Sequence, residues 1–172
     1  KILKAAKLGD AAILKAIINI LVMEKIKVIS SIKYNPELTL SKGLFTKTKP
    51  NKNDMISIKN GIKSLKRVNP NNHVQGLIVQ NSNVIAHETI KGTKIMLKSI
   101  KKFKDSQAIL IKFPKKKQDL RIDLPTIGFD TLKDCKRAGI KGIVLKSKQH
   151  IFMDKTISLS FANKHKIFIT VK

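Results

Sequence analysis

Residues 114–128, PKKKQDLRIDLPTIG, carry the residue types best suited to chemistry. Two carboxylates lie four residues apart, Asp119 and Asp123, and three consecutive lysines and Arg121 accompany them. Carboxylates can hold a divalent cation or activate a water molecule, and ammonium groups can neutralise phosphate oxygens. The combination favours phosphate-ester or pyrophosphate chemistry, although charged segments at strand ends are more often simply solvated.

A buried strand is predicted directly before this segment, because residues 108–111 form the apolar run AILI. Segments that follow strand ends often display functional groups. Other strands are predicted at 26–29, 74–79, 84–90, 142–145, 151–153 and 166–171, and helices at 10–23, 53–68, 92–103, 129–138 and 154–164. Interleaved helices and strands predict an α/β fold with a mixed sheet.

Three local patterns refine this prediction. Asp10 is a suitable N-cap, and the helix after it has apolar residues at helical spacing, so it is expected to face a core. Residues 80–83, QNSN, predict a hairpin turn between two strands. The segment 47–51, KTKPN, predicts a solvated linker, and we place a domain boundary near residue 42.

The central segment resembles the signature of the LpxI-type UDP-2,3-diacylglucosamine pyrophosphatases, which act in lipid A biosynthesis. Shorter resemblances follow in the same order: GDAAILKA at 9–16, GLFT at 43–46, AHETIKGT at 86–93, AG at 138–139 and MD at 153–154. Together they extend over nearly the whole chain. The central signature is the specific part, and the shorter matches gain weight from their order.

The resemblance implies a domain organisation. Members of this family have a Rossmann-like N-terminal domain, so residues 1–41 are expected to be the C-terminal part of that domain. Residues 42–172 are then expected to form the C-terminal catalytic and substrate-binding domain. Since the sequence begins KIL without an initiator Met, we expect it to be incomplete at its N-terminus.

The resemblance also implies a reaction, the Mg²⁺-dependent hydrolysis of UDP-2,3-diacylglucosamine to UMP and 2,3-diacylglucosamine 1-phosphate. Asp119 is the first candidate for the catalytic and metal-binding residue, and Asp123 is the second. If residues 119–123 form a strand, both side chains point to one face and can reach one ion. Glu88, in a predicted strand, is a further candidate metal ligand.

Substrate contacts are expected from the same motifs. Lys115 and Arg121 are candidate phosphate ligands, and Gln118 and Thr126 are candidate hydrogen-bonding partners. The backbone of Gly92 and Thr93 opens a predicted helix, where free N–H groups favour an anion. Three positions depart from the family pattern, because Lys91, Lys94 and Lys117 stand where the family has Glu, Asp and Gly.

The net charge of +25 would ordinarily suggest binding to nucleic acid or to an anionic membrane. Of the 36 basic residues only Arg67, Arg121 and Arg137 are arginines, and Trp is absent. A compositional bias of the genome explains this pattern better than selection for nucleic-acid binding. The lysines should still attract anionic lipid head groups.

Two function classes therefore compete with an active enzyme: a catalytically weak homologue that binds lipid or nucleotide, and a basic nucleic-acid-binding module. For the enzyme we expect a cytoplasmic location at the inner-membrane surface and no nucleic-acid partner, with a homodimer left open. The single Cys135 allows no intramolecular disulfide and is expected to be a buried thiol. The four histidines lack metal-site spacing and are expected to be structural or exposed.

Overall fold

The computed structural model describes residues 10–68, 74–100, 107–116 and 118–172. These residues form a mixed six-stranded sheet with helices on both faces, so the predicted α/β class is confirmed. The strands are β1 (Gly43–Leu44), β2 (Gly76–Gln80), β3 (Asn83–His87), β4 (Ala108–Lys112), β5 (Thr126–Ile127), β6 (Ile140–Leu145), β7 (Ile151–Phe152) and β8 (Phe168–Val171). The helices are α1 (Asp10–Met23), α2 (Lys52–Val68), α3 (Gly92–Ser99), α4 (Phe129–Arg137) and α5 (Lys155–Lys164).

The order of strands in the sheet is β1-β8-β6-β4-β2-β3, and β5 pairs with β7 in a separate two-stranded sheet. Strands β4, β6 and β8 are parallel. Strand β2 is antiparallel to β4, and β3 is antiparallel to β2, so β3 runs in the same direction as β4. Four strands therefore end at one edge of the sheet, which we call the carboxyl edge. In open α/β sheets this edge is the usual place for a ligand.

Side chains of the central strands alternate between two apolar layers. Ile109 and Ile111 face α2, whereas Leu110 faces the layer that contains residues of α3, α4 and α5. Because both faces are covered, all five residues of β4 are buried, as the apolar run predicted. Cys135 of α4 is fully buried in the second layer, and burial raises the pKa of its thiol.

The hairpin between β2 and β3 confirms the turn predicted at residues 80–83. Its central residues, Asn81 and Ser82, have φ angles of 48° and 67°. Positive φ at both central positions is typical of the tight turns that match the twist of paired strands, and asparagine tolerates it well.

Several predicted boundaries are wrong. Residues 26–29 form no strand, and Ile26 and Ile29 are exposed beside no pairing partner in the described chain. Strands β1 and β5 were missed because two residues are too few to show a periodic pattern. Strand β3 ends at His87, three residues earlier than predicted. Residues 69–72 and 101–103, predicted to end α2 and α3, lie outside the described residues.

Helix α1 has the predicted bounds, but the described chain leaves most of its apolar face uncovered. Only Ile18 is buried among its described side chains, and Ile17, Ile20 and Val22 are exposed. Its apolar residues cover more than one side of the helix, and the described chain supplies no second layer over them. No helix among the described residues combines the length and apolar character that a membrane span needs.

Candidate functional site

The signature segment lies at the carboxyl edge, because it begins where β4 ends. Its centre is a single helical turn: the backbone N–H groups of Ile122 and Asp123 donate to the carbonyl oxygen of Asp119 at 3.2 and 2.9 Å. The strand geometry expected for residues 119–123 is therefore wrong. Residues four apart in a helical turn still share a face, however, so Asp119 and Asp123 remain on one side of the segment.

Asp119 and Arg121 form a close ion pair. The Nη2 of Arg121 lies 2.6 Å from Oδ2 of Asp119, and Nε lies 2.9 Å from Oδ1. Hydrogen bonds from the Arg121 side chain, and then from its backbone N–H, hold the pKa of the Asp119 carboxyl below its usual range. Because both side chains are well exposed, this pair contributes little to stability. It leaves an ionised carboxylate and a guanidinium side by side where a ligand can reach them.

Gln118 orders the start of this turn. Its side-chain oxygen accepts a hydrogen bond of 3.0 Å from the backbone N–H of Lys115. The backbone N–H of Gln118 donates to the Lys115 carbonyl at 3.1 Å. These two bonds fix the position of Lys115 relative to Asp119. The side-chain oxygen of Gln118 thus already accepts a hydrogen bond within the protein.

Two grooves flank the turn, and Gln118 lines both. The first, which we call the basic groove, has a volume of about 280 Å³. It is lined by Leu65, Lys66, Phe113, Pro114, Lys115, Lys116, Gln118, Leu120, Lys146 and Gln149. The second, which we call the helix groove, has a volume of about 260 Å³ and runs between α1 and the turn. It is lined by Leu14, Lys15, Ile18, Asn19, Gln118, Asp119, Arg121, Ile122 and Asp123.

A buried charged cluster lies at the same edge. The Nζ of Lys112, the last residue of β4, is 3.4 Å from Oε1 of Glu88 and 2.5 Å from the hydroxyl of Thr93. That hydroxyl donates to Glu88 Oε1 at 2.9 Å. Glu88 and Lys112 are 3% and 4% exposed. Burial lowers the pKa of the Lys112 ammonium, and the adjacent Glu88 opposes that shift.

This cluster contains two predicted site residues, Glu88 and Thr93. Glu88 lies just after β3 and is the counter-ion of Lys112, and its role as a metal ligand stays a prediction. The Glu88 carboxylate also accepts the Thr93 hydroxyl beside the first turn of α3, and the phosphate role expected for Gly92 and Thr93 likewise stays a prediction. Gly76 makes this packing possible, because a Cβ there would lie 2.7 Å from Glu88 Oε2.

The sequence model of the LpxI C-terminal domain matches residues 41–170. The chain belongs to the LpxI family. It is 27% identical over 173 residues to the UDP-2,3-diacylglucosamine pyrophosphatase LpxI of Caulobacter vibrioides. That alignment includes 96% of this chain, and the chain spans 62% of the length of the relative. The division at residue 42 into two domains stays a prediction.

The remaining predicted residues of this LpxI chain take varied positions. Thr126 is exposed in β5, and its hydroxyl donates weakly to the Leu124 carbonyl at 3.4 Å, away from both grooves. Lys91 and Lys94 are exposed at the start of α3. Lys117 and His73 lie outside the described residues.

His150 is a buried residue whose position the sequence did not reveal. It is 2% exposed, its Nδ1 lies 3.3 Å from the Lys146 carbonyl, and its Nε2 has no hydrogen-bond partner among the described residues. Burial lowers the pKa of His150 to about 4, and the nearby Lys112 charge acts in the same direction. A neutral imidazole therefore supports the segment between β6 and β7.

The described residues contain no group of three or more His, Cys, Asp or Glu side chains arranged to hold a metal ion. The three carboxylates expected to share one ion are thus not gathered together. Of these three carboxylates, only Asp119 and Asp123 line the same groove. Since Mg²⁺ is commonly held by one or two carboxylates and by substrate phosphates, this pair fits the cation only in partnership with a bound phosphate.

We expect the Glu88→Gln variant to lose about 3 kcal/mol of unfolding free energy, because it leaves a buried ammonium without its counter-charge. The double variant Glu88→Gln/Lys112→Met should recover most of that loss, which urea unfolding will measure. Asp130→Asn, which removes an exposed ion pair with Lys133, is the control and should change stability by less than about 1 kcal/mol. Failure of the second substitution to restore stability would contradict the counter-ion role.

A second prediction concerns pH and His150. Its folded pKa of about 4 is below the unfolded value of 6.5, so below pH 6.5 the unfolded chain binds the extra proton. The free energy of unfolding should therefore decrease as the pH is lowered. The contribution from this group is about 2 kcal/mol between pH 7 and pH 4.5. His150→Gln should remove that part of the pH dependence, whereas exposed His87→Gln should retain it. If the unfolding free energies of the parent and of both variants change equally with pH, His150 does not titrate in this way.

Proposed function

We propose that this protein hydrolyses the pyrophosphate of UDP-2,3-diacylglucosamine to UMP and 2,3-diacylglucosamine 1-phosphate, a step of lipid A biosynthesis. One observation carries the proposal: the Asp119–Arg121 pair is exposed at the carboxyl edge, on the turn that the basic groove and the helix groove flank. Membership of the LpxI family and the name of the Caulobacter relative give that geometry its substrate.

Asp119 is the residue to which we assign the central role. Its low pKa keeps it ionised at neutral pH, so it is a better hydrogen-bond acceptor or cation ligand than a proton acceptor. In this role the carboxylate orients the attacking water. Arg121 stands beside it with a guanidinium that can turn to a phosphate oxygen and stabilise the charge that develops there.

Lys115 and Gln118 supply further contacts on the side of the basic groove, where Lys115 binds phosphate and the Gln118 amide nitrogen is available as a donor. Asp123 lies one turn from Asp119 in the helix groove. With a bound phosphate, these two carboxylates would hold Mg²⁺, which would supply charge neutralisation and polarise a phosphoryl oxygen. Thr126 is assigned only an outer hydrogen-bonding role, because it lines neither groove.

We further propose that the protein works at the cytoplasmic surface of the inner membrane, because its substrate carries two acyl chains. Two features support this. Exposed apolar residues of α1, Ile17, Ile20 and Val22, continue from the helix groove, and the net charge is +25. Apolar contact and attraction to anionic head groups together give stable surface attachment.

The decisive variant is Asp119→Asn. Loss of the carboxylate charge should lower UMP release by about a thousandfold, because the charge that orients water or cation is removed while the side-chain shape is kept. The assay follows UMP release from UDP-2,3-diacylglucosamine in mixed micelles, with Mg²⁺ and after chelation. Asp130→Asn is the matched control, because it removes the carboxylate of another exposed ion pair.

Two outcomes of that assay would count against the proposal. Activity of Asp119→Asn within threefold of the parent would remove this residue from the mechanism. A parent protein that binds the lipid but releases no UMP under any condition would be a binding homologue rather than an enzyme. Activity that survives chelation would exclude the cation while leaving the hydrolase intact.

Membrane attachment makes a separate prediction. Sedimentation with anionic vesicles should weaken as salt rises, because screening shortens the reach of the lysine charges to about 8 Å at physiological ionic strength. Vesicles of neutral lipid serve as the control and should retain less protein at low salt. Absence of vesicle binding at every salt, with saturable and structure-selective RNA or DNA binding, would instead identify a nucleic-acid-binding module.

A further inference from the structure

Three lysines from separate elements converge on the basic groove. Lys66 lies in the last turn of α2, Lys115 follows β4, and Lys146 follows β6. The groove has no Asp or Glu among its lining residues. Among the described residues, none of these three ammonium groups has an ion-pair partner.

Such an arrangement favours the binding of an anion. Like charges held at the mouth of one concave site repel each other, and the low-dielectric walls strengthen the local positive potential. A phosphate group placed among the lysines would offset this repulsion. Compact ammonium groups on flexible stems suit it, because they can adjust to a non-planar anion.

The remainder of the groove fits a nucleoside better than a bare phosphate. Leu65, Leu120 and the ring of Phe113 give it apolar walls, and Lys146 Nζ lies 5.9 Å from the centre of that ring. The amides of Gln118 and Gln149 add hydrogen-bonding groups. A volume of about 280 Å³ is near the lower end of small-ligand sites, and apolar walls with a few polar groups are their usual composition.

The helix groove lacks this excess of positive charge. Its lining combines two carboxylates, Asp119 and Asp123, with two basic side chains, Lys15 and Arg121, and with apolar side chains that include Leu14 and Ile18. The turn that holds Asp119 and Arg121 separates the two grooves. A substrate with a nucleotide at one end and acyl chains at the other therefore has one favourable orientation across this turn.

We propose that the basic groove binds the nucleoside monophosphate half of the substrate and that Lys66 and Lys146 are phosphate-binding residues. This inference rests on the proposed function, since it orients that substrate. It places the uracil and ribose against the Phe113 side of the groove and the adjoining phosphate between Lys66, Lys115 and Lys146. The diacylglucosamine half then lies on the α1 side of the turn.

The test measures UMP and uridine binding by calorimetry, using the full-length protein. In the variant Lys66→Met/Lys146→Met, methionine keeps much of the apolar stem but removes both charges. Lys52→Met/Lys164→Met is the matched control: Lys52 begins the helix that carries Lys66, about 21 Å away along its axis, and Lys164 ends α5 just before β8 begins. All four lysines are exposed, and urea unfolding will verify that each variant is folded.

We expect the Kd for UMP to rise at least about tenfold in the groove variant and less than twofold in the control. The Kd for uridine should change little in either, because uridine lacks the phosphate. Equal UMP affinity in the groove and control variants would overturn the proposal. An equal loss of uridine affinity would also overturn it, since the two lysines would then not be recognising the phosphate group.

Enzyme assays separate this inference from the function on which it rests. In the groove variant the KM for the UDP-linked substrate should rise at least about tenfold with kcat within threefold, because Asp119 and Arg121 are untouched. Weakened UMP binding together with no UMP release by the parent would support the groove and reject the hydrolase. Normal UMP release with unchanged KM would support the hydrolase and reject the groove assignment.

Discussion

The buried ion pair between Lys112 and Glu88 is the constraint around which the carboxyl edge is arranged. An ammonium at the end of β4 can stay buried only if a carboxylate and a hydroxyl surround it, and Glu88 and Thr93 provide them. The pair therefore joins the end of β3, the end of β4 and the first turn of α3. Because Lys112 ends β4 two residues before the signature segment begins, this junction sets the point from which Asp119 and Arg121 are displayed.

Much of the fold follows from local pattern, and the failures have physical causes. The run at 108–111 predicted the central strand because a sheet covered on both faces needs continuous apolar side chains. The strand predicted at residues 26–29 is wrong because a segment with apolar residues becomes a strand only beside another strand with which it can pair. Strand β1 depends wholly on such a partner: Gly43 and Leu44 align with Val171 and Thr170 of β8, more than a hundred residues away.

The candidate site was predictable where its residues are adjacent in sequence. Lys115, Gln118, Asp119 and Arg121 fall within seven consecutive residues, so the sequence alone brings them together. The ion pair of Glu88 was not predictable, because a buried counter-ion and a metal ligand are both a lone carboxylate in sequence, and only the fold places Lys112 beside it. Lys66 and Lys146 were missed for a related reason, since they meet only through the strand order that places α2 beside the ends of β4 and β6.

The positions of the acidic residues determine which lysines have a carboxylate partner. Biased codon usage can account for the number of lysines, but it does not decide which of them lack a partner. Five ion pairs in the described chain place a carboxylate beside a basic group, as Asp54 lies beside Lys141 and Asp134 beside Arg137. In the basic groove, three elements bring ammonium groups to one concavity whose described lining residues include no Asp or Glu. Positive charge is therefore concentrated beside the turn that holds Asp119, where it would attract an anion whatever the origin of the composition.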